Sequence, residues 1–138
     1  MSTQSDQQPR FPDWFVPNCP PNDAVEATGT VYRFVAANPA DPQEFLSYHE
    51  TDERPNAAPC QRCGLSVFER LENVRGTLRH LWKTYPKKSY GPHVVKRELS
   101  PADGKIKATG SPGHRTWWAY EGVERHASFE FVETIQKS

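Results

Sequence analysis

The residues that most directly suggest chemistry lie in the segment His-Arg-Thr-Trp-Trp, residues 114–118, which follows a Gly-rich turn at residues 110–113. His114 can exchange a proton near neutral pH, and Arg115 can bind an anion. Neighbouring side chains of a strand point to opposite faces of a sheet. We therefore predict that one of Trp117 and Trp118 anchors the core while the other lines a cleft and stacks on a ligand ring.

Two further polar residues interrupt segments that otherwise predict buried strands. Arg33 lies within Thr-Val-Tyr-Arg-Phe-Val, and Ser66 lies within Leu-Ser-Val-Phe. Because burying an unpaired guanidinium is costly, Arg33 either reaches solvent at a sheet edge, pairs with a carboxylate or meets an anionic ligand. Ser66 either hydrogen-bonds to the backbone or positions a ligand. The boldest prediction is that Arg33, Ser66, His114 and one tryptophan line a common concavity.

The cysteines give a weaker signal. Cys60 and Cys63 have the spacing of half a zinc site, but a structural site needs four ligands and the sequence has no second Cys-x-x-Cys pair. We predict two ordinary thiols in a loop and no metal, with these two residues as the weak metal candidates. Three cysteines form no evident disulfide framework, so a reducing cytoplasm is the expected compartment.

Charge is distributed unevenly although the net charge is zero. Residues 1–69 carry 4 Lys/Arg and 10 Asp/Glu, whereas residues 70–115 carry 11 and 3. A basic central third suits a nucleotide, a nucleic acid or an acidic protein. The alternative is a solvated basic face that the acidic segments balance.

The elements that position these residues follow from local patterns. Apolar residues recur at spacings of three and four over residues 70–85, which predicts one long amphipathic helix. Its predicted buried side chains are Leu71, Val74, Leu78, Leu81 and Trp82. Strands are predicted at residues 30–35, 65–68, 93–99, 105–109, 116–120 and 128–135, with residues 93–99 and 105–109 paired as a hairpin across a turn.

The N-terminal part is predicted to contain less regular structure. Residues 1–21 hold five prolines and are interpreted as an arm that is disordered or lies along the surface, with residues 22–138 as a single domain. A helical turn is expected after Asn22, and a short helix from Pro42 to about Tyr48, begun by Asp41. No signal peptide or membrane span is predicted. The fold class is α+β, with a twisted, mostly antiparallel sheet, the long helix and a short N-terminal helix.

One pattern resembles a known superfamily. Tyr32-Arg33 in a first strand, then Gly-Leu-Ser-Val-Phe (residues 64–68) running into a helix, then several late strands, is similar to the ADP-ribosyltransferase-like superfamily over about residues 29–121. The resemblance implies that Arg33 and Ser66 contact nicotinamide adenine dinucleotide (NAD) and that His114 or Glu121 completes the catalytic site. The sequence lacks the late-strand Glu-x-Glu of that group.

Three functional hypotheses follow. The first is an enzyme of a toxin, defence or modification system, a transferase or glycohydrolase acting on NAD or a related nucleotide. In it Tyr32, Arg115 and one tryptophan help bind the ligand, and Glu121 stabilises a ribosyl cation. The second is a non-catalytic module that binds nucleic acid or protein through the basic residues 70–115. The third is an orphan structural domain. An enzyme requires Arg33, Ser66 and His114 to converge, whereas a binding module requires basic residues spread along a face.

Overall fold

The computed structural model describes residues 9–137 and consists of one seven-stranded sheet with three helices. The strand order is β1-β5-β6-β3-β2-β4-β7, and every pairing is antiparallel. This confirms an α+β fold dominated by an antiparallel sheet. The strands are β1 Val25–Glu26, β2 Gly29–Val35, β3 Leu65–Phe68, β4 His93–Leu99, β5 Gly104–Ala108, β6 His114–Ala119 and β7 Glu130–Thr134. The helices are α1 Tyr48–Thr51, α2 Pro59–Arg62 and α3 Leu71–Thr84.

The longest of these helices, α3, packs on the sheet through the apolar stripe that the sequence indicates. Val74, Leu78 and Trp82 lie one turn apart and are buried. They contact Phe68 of β3 and Val94 of β4 in one apolar cluster. Leu71 and Leu81 were also predicted to be buried, but both are only partly so. Leu81 instead borders a cavity between the helix and the sheet.

The predicted hairpin between residues 93–99 and 105–109 is wrong. β4 pairs with β2 and β7, while β5 lies near the other side of the sheet between β1 and β6. The turn between the two strands, a 3-10 helix at Pro101–Asp103, explains the difference. Arg97 of β4 is buried and binds the Asp103 carboxylate at 2.9 Å, which fixes the turn against the sheet. Leu99 pairs with Gly29 and Lys105 pairs with Glu26, so after the turn the chain continues along β1 rather than folding back on β4.

The predicted helix at residues 42–48 is divided in two. Asp41 accepts a hydrogen bond from Gln43 N and begins a 3-10 turn, Pro42–Phe45. Ser47 and Glu50 then form a reciprocal capping box that begins α1. Residues 22–23 form a turn that does not continue into a helix. β1 follows this turn and pairs with β5. Both parts of the divided helix therefore lie between β2 and β3, where α2 also lies.

The described part of the N-terminal arm packs on the domain, while residues 1–8 of the predicted arm lie outside the described residues. Phe11, Trp14, Phe15 and Val16 pack against a cluster that contains Trp118. Beyond them the chain is covalently attached to α2 by a disulfide between Cys19 and Cys60. The prediction that Cys60 is an ordinary thiol is therefore wrong, because aromatic packing of the arm brings Cys19 next to α2. Over residues 9–137, none of the helices has the length and apolar character needed to cross a bilayer.

Replacing Leu78 tests the packing of α3. Leu78 is fully buried, so Leu78→Ala leaves a cavity and should lower the free energy of unfolding by about 2–5 kcal/mol. Val25→Ala is the matched control, since Val25 is 60% exposed and should lose little stability. Urea denaturation followed by circular dichroism measures both. Equal, small losses in the two variants would contradict this packing.

Candidate functional site

The site begins where β2 and β3 separate. These strands share a single registered residue pair, Tyr32 with Phe68, and then part. Across the gap, Arg33 Nη1 donates a hydrogen bond to the Ser66 carbonyl oxygen at 2.7 Å. Arg33 Nη2 donates to the Glu44 carbonyl oxygen beyond the end of β2. A side chain thus takes the place of the backbone hydrogen bonds that normally close a sheet.

A cavity of about 360 Å³ opens beside this gap. It brings together Arg33, Ser66 and His114, which are three of the four residues predicted to be catalytic. The other lining residues come from β2, β3, α3, β6, the segment before β4, and the chain from α1 to α2. They are Phe34, Tyr48, Arg54, Ala57, Gln61, Arg62, Phe68, Thr77, Leu81, Tyr90 and Thr116.

Arg33 is a desolvated cation in contact with neutral groups. The surrounding protein lowers the pKa of its guanidinium to about 10, mainly by desolvation, so it remains charged at pH 7. Its two terminal nitrogens bind carbonyl oxygens, and its Nε is buried with no hydrogen-bond partner among residues 9–137. The nearby Glu44 carboxylate accepts hydrogen bonds from the backbone of Ala36 and Ala37 instead. The arrangement leaves Arg33 able to attract an anion.

Two more arginines, which sequence reasoning missed, line the same cavity. Arg62 donates to the carbonyl oxygens of Glu53 and Tyr48 at 2.9 and 3.3 Å. Its carboxylate partner, Asp52, is 3.6 Å away and almost fully exposed, so water screens this pair. The Arg54 guanidinium lies over the Tyr48 ring, 5.2 Å from its centroid.

A signal for these residues is present in the sequence. Residues 1–69 are strongly acidic and contain only four Lys/Arg, and three of those four line the cavity. None of the residues that line it is an Asp or a Glu. The cavity is therefore a cationic site within an acidic part of the chain.

His114 is held in a defined orientation. Its Nδ1 lies 2.9 Å from the Thr109 carbonyl oxygen and 3.0 Å from Thr109 Oγ1. Thr109 Oγ1 also bonds to Thr116 Oγ1 at 2.8 Å, which fixes the threonine. Desolvation lowers the pKa of His114, although the bond to the Thr109 carbonyl acts against that shift. At neutral pH the uncharged ring thus donates from Nδ1, which leaves Nε2 as a proton acceptor.

An aromatic wall faces these polar groups. The rings of Phe34 and Phe68 lie 6.2 Å apart, and those of Phe34 and Tyr90 lie 6.4 Å apart. Leu81 and Thr77 of α3 extend the wall. The lining therefore combines aromatic rings with guanidinium groups and a histidine, whose ring centroid lies 5.4 Å from that of Phe68.

Neither tryptophan of the predicted site reaches this cavity. Trp117 and Trp118 are both fully buried, and neither lines this cavity, so the prediction that one of them shares a concavity with Arg33 is wrong. Trp117 borders a different cavity instead. Their indole nitrogens are satisfied within the protein, by the carbonyl oxygens of Asp103 and Cys60 at 3.0 and 2.9 Å. The N-terminal arm covers Trp118, and that long-range contact has no local signature in the sequence.

The remaining predicted residues also lie elsewhere. Glu121 borders a second cavity of about 190 Å³ and pairs with Arg10 at 3.4 Å, so it does not join Arg33. Arg115 points to the sheet face opposite His114 and pairs with Glu69 at 2.9 Å. Tyr32 packs in the cluster beneath α3.

The two metal candidates do not form a site with other ligands in the described chain. Cys60 is in the disulfide, and Cys63 is a buried free thiol whose pKa is raised by desolvation. Across residues 9–137, no three or more His, Cys, Asp or Glu side chains are grouped so that they could hold a metal ion.

Comparison with known proteins gives no relative: no protein-family model, curated protein or solved structure matches this chain. The chemistry of the cavity is therefore argued from its own residues.

The lowered pKa of His114 predicts a dependence of stability on pH. In the unfolded chain the ring takes up a proton near its ordinary pKa of 6.5, whereas the folded protein resists protonation. As the pH is lowered past that pKa, the unfolded state binds more protons than the folded state. The free energy of unfolding therefore decreases as the pH is lowered, until the ring is protonated in the folded protein too. The melting temperature of the wild type should therefore fall more between pH 8 and pH 5 than that of His114→Gln. His80→Gln, at an exposed position on α3, is the control. Parallel pH profiles for the wild type and His114→Gln would contradict the assignment.

Proposed function

We propose that this protein binds a nucleotide in the cavity between β2 and β3, with NAD as the leading candidate. The observation that carries the proposal is the convergence of Arg33, Arg54 and Arg62 on a cavity whose lining has no carboxylate. Guanidinium groups suit phosphate because their donors match its oxygens in pairs.

The other wall and the volume support the same ligand class. A nucleobase stacks on aromatic rings, and Phe34, Phe68 and Tyr90 supply such a surface. Sites for small ligands typically occupy about 300–1,000 Å³, and this cavity is within that range. A phosphate on the cationic side with a base on the aromatic side uses both halves of the cavity.

NAD is favoured by the resemblance to the ADP-ribosyltransferase-like superfamily. The resemblance assigns contact with the dinucleotide to Arg33 and Ser66, and completion of the site to His114 or Glu121. Of these residues, Arg33, Ser66 and His114 line the cavity. We propose transfer or hydrolysis at NAD as the accompanying activity. The bond between the ribose and nicotinamide breaks, nicotinamide leaves, and water or an acceptor hydroxyl bonds to the ribose and gives its proton to His114 Nε2. A carboxylate from outside the lining is needed to stabilise the ribosyl cation. Glu121 takes no part in this proposal, because it borders another cavity.

The rival hypothesis, in which the basic residues 70–115 form a face that binds nucleic acid or protein, has less support. Of the eleven basic residues in the stretch 70–115, five are in ion pairs within the protein. They are Arg70, Arg75, Arg97, Lys107 and Arg115. A purely structural role accounts for the two hydrogen bonds of Arg33 to carbonyl oxygens, but it gives no reason for three arginines to line one cavity whose lining has no carboxylate.

The disulfide bears on the compartment in which the protein works. Disulfides persist in oxidising compartments and are rare in the cytoplasm that the sequence favours. We therefore propose an oxidising location as the alternative to the cytoplasm, on the strength of the Cys19–Cys60 bond.

Arg33 and Arg54 provide the test of nucleotide binding. Adenosine, AMP, ADP and NAD are titrated by calorimetry, and affinity should increase with phosphate. Arg33→Ala should weaken binding of the phosphate-bearing ligands by about 1.5–3 kcal/mol, roughly 10- to 150-fold, the range for a hydrogen bond to a charged group. Arg54→Gln should have the same direction of effect without disturbing the gap between β2 and β3, since Arg54 contacts the Tyr48 ring.

Arg115→Ala is the matched control, because it removes an arginine that is bonded to Glu69 outside the cavity. Its affinity for all four ligands should equal that of the wild type. The proposal fails if none of the phosphate-bearing ligands binds, or if the variants at Arg33 and Arg54 bind as the wild type does.

A further inference from the structure

The aromatic wall of the cavity continues to the protein surface. The ring of Tyr90, which lines the cavity, lies 6.5 Å from the ring of Tyr85. Tyr85 is 48% exposed and is one of the few large apolar side chains at the surface of the described residues. Two residues of α3 that line the cavity, Thr77 and Leu81, precede Tyr85 at intervals of four, so the three lie along one side of the helix. The row leads outward from the cavity.

Positive charge surrounds the outer end of this row. After α3 the chain turns at Tyr85, whose carbonyl oxygen accepts a hydrogen bond from Lys88 N at 3.0 Å. Lys87 and Lys88 are exposed, and neither is in any ion pair found among residues 9–137. An exposed ring thus lies beside the cavity-lining Tyr90, and two exposed lysines follow it in the same turn of the chain.

We propose that the nucleotide in the cavity is the end of a single-stranded oligonucleotide. Its terminal nucleotide occupies the cavity, the next base stacks on Tyr85, and the following phosphate contacts Lys87 and Lys88. This proposal rests on the proposed nucleotide site and names as its substrate class a strand end in place of free NAD. Proteins hold single strands through this combination of stacking rings and cations. A duplex end fits less well, because its terminal base must first be unpaired and unstacked to enter the cavity.

Affinity as a function of strand length tests the inference. The probes are 5′-phosphorylated oligoadenylate and oligouridylate of one, two and four nucleotides, with a blunt duplex of the same sequences. The tetranucleotide should bind roughly 5-fold to more than 100-fold more tightly than the mononucleotide, the gain expected for one stacked base. Tyr85→Ala should remove that gain while leaving the affinity for the mononucleotide unchanged.

The lysines are tested by salt dependence. Lys88→Gln should reduce the slope of log affinity against log salt for the tetranucleotide, because one fewer phosphate is neutralised. Lys96→Gln is the matched control, since this exposed lysine borders a different concavity on β4. It should leave both the affinity and the slope as in the wild type.

The outcomes separate this inference from the proposed function. Two results overturn the inference and leave the nucleotide site in place. In the first, mononucleotide binding needs Arg33 but longer strands bind no more tightly. In the second, the duplex binds as tightly as the single strand. Oligonucleotide binding that is unaffected by Arg33→Ala overturns the inference, because the strand end is then outside the cavity. Failure of all the oligonucleotide probes to bind also overturns the inference, and the proposed function fails with it only if ADP and NAD do not bind either.

Discussion

The feature on which the site depends is the guanidinium of Arg33, which spans the gap between two strands that stop pairing. Adjacent strands normally satisfy each other's carbonyls and amides, and an open gap leaves these groups unpaired. Here the fork of one arginine on β2 reaches one carbonyl across the gap, at Ser66, and a second beyond the end of β2, at Glu44. A lysine has no second arm with which to do this. The cost is a cation removed from water whose hydrogen-bond partners are neutral carbonyls, a cost that the anion of the proposed ligand offsets.

The cavity is the space between two covers on one face of the sheet. Ser66 and Phe68 of β3 share this face with His114, Thr116 and Trp118 of β6, because alternate residues of a strand point the same way. α3 covers the end at Phe68, while the N-terminal arm and α2 cover the end at Trp118. Between the covers the side chains are small or polar, so the floor remains open. The disulfide holds α2 in place at one rim, and α2 presents Arg62 there.

Features that depend on local pattern were predictable from the sequence, and those that depend on distant partners were not. β3 and β4 occupy the predicted residues, and α3 differs from its predicted range by one residue at each end. These elements were predictable because the spacing of apolar residues and the residue types that form turns are visible within a few positions of the sequence. The polar interruptions at Arg33 and Ser66 indicated the cavity for the same reason. The position of β5 depended on Arg97 binding Asp103, and the burial of Trp118 on an arm about a hundred residues away. Arg54 and Arg62 lie in a segment without periodicity, so only their rarity in an acidic half distinguished them.

The charge of the cavity also limits the chemistry that it can assist. A site lowers a barrier when its fixed charges oppose the charge that develops in the transition state. Three guanidinium groups and a lining without carboxylates stabilise negative charge and raise the energy of a ribosyl cation. Attack at the ribose of NAD therefore needs a carboxylate from outside the lining. Negative charge on phosphate oxygens, in contrast, is stabilised by the guanidinium groups of the lining. Binding through phosphate is thus the part of the proposal that the cavity supports by itself, and cleavage at the ribose depends on a group that the lining does not supply.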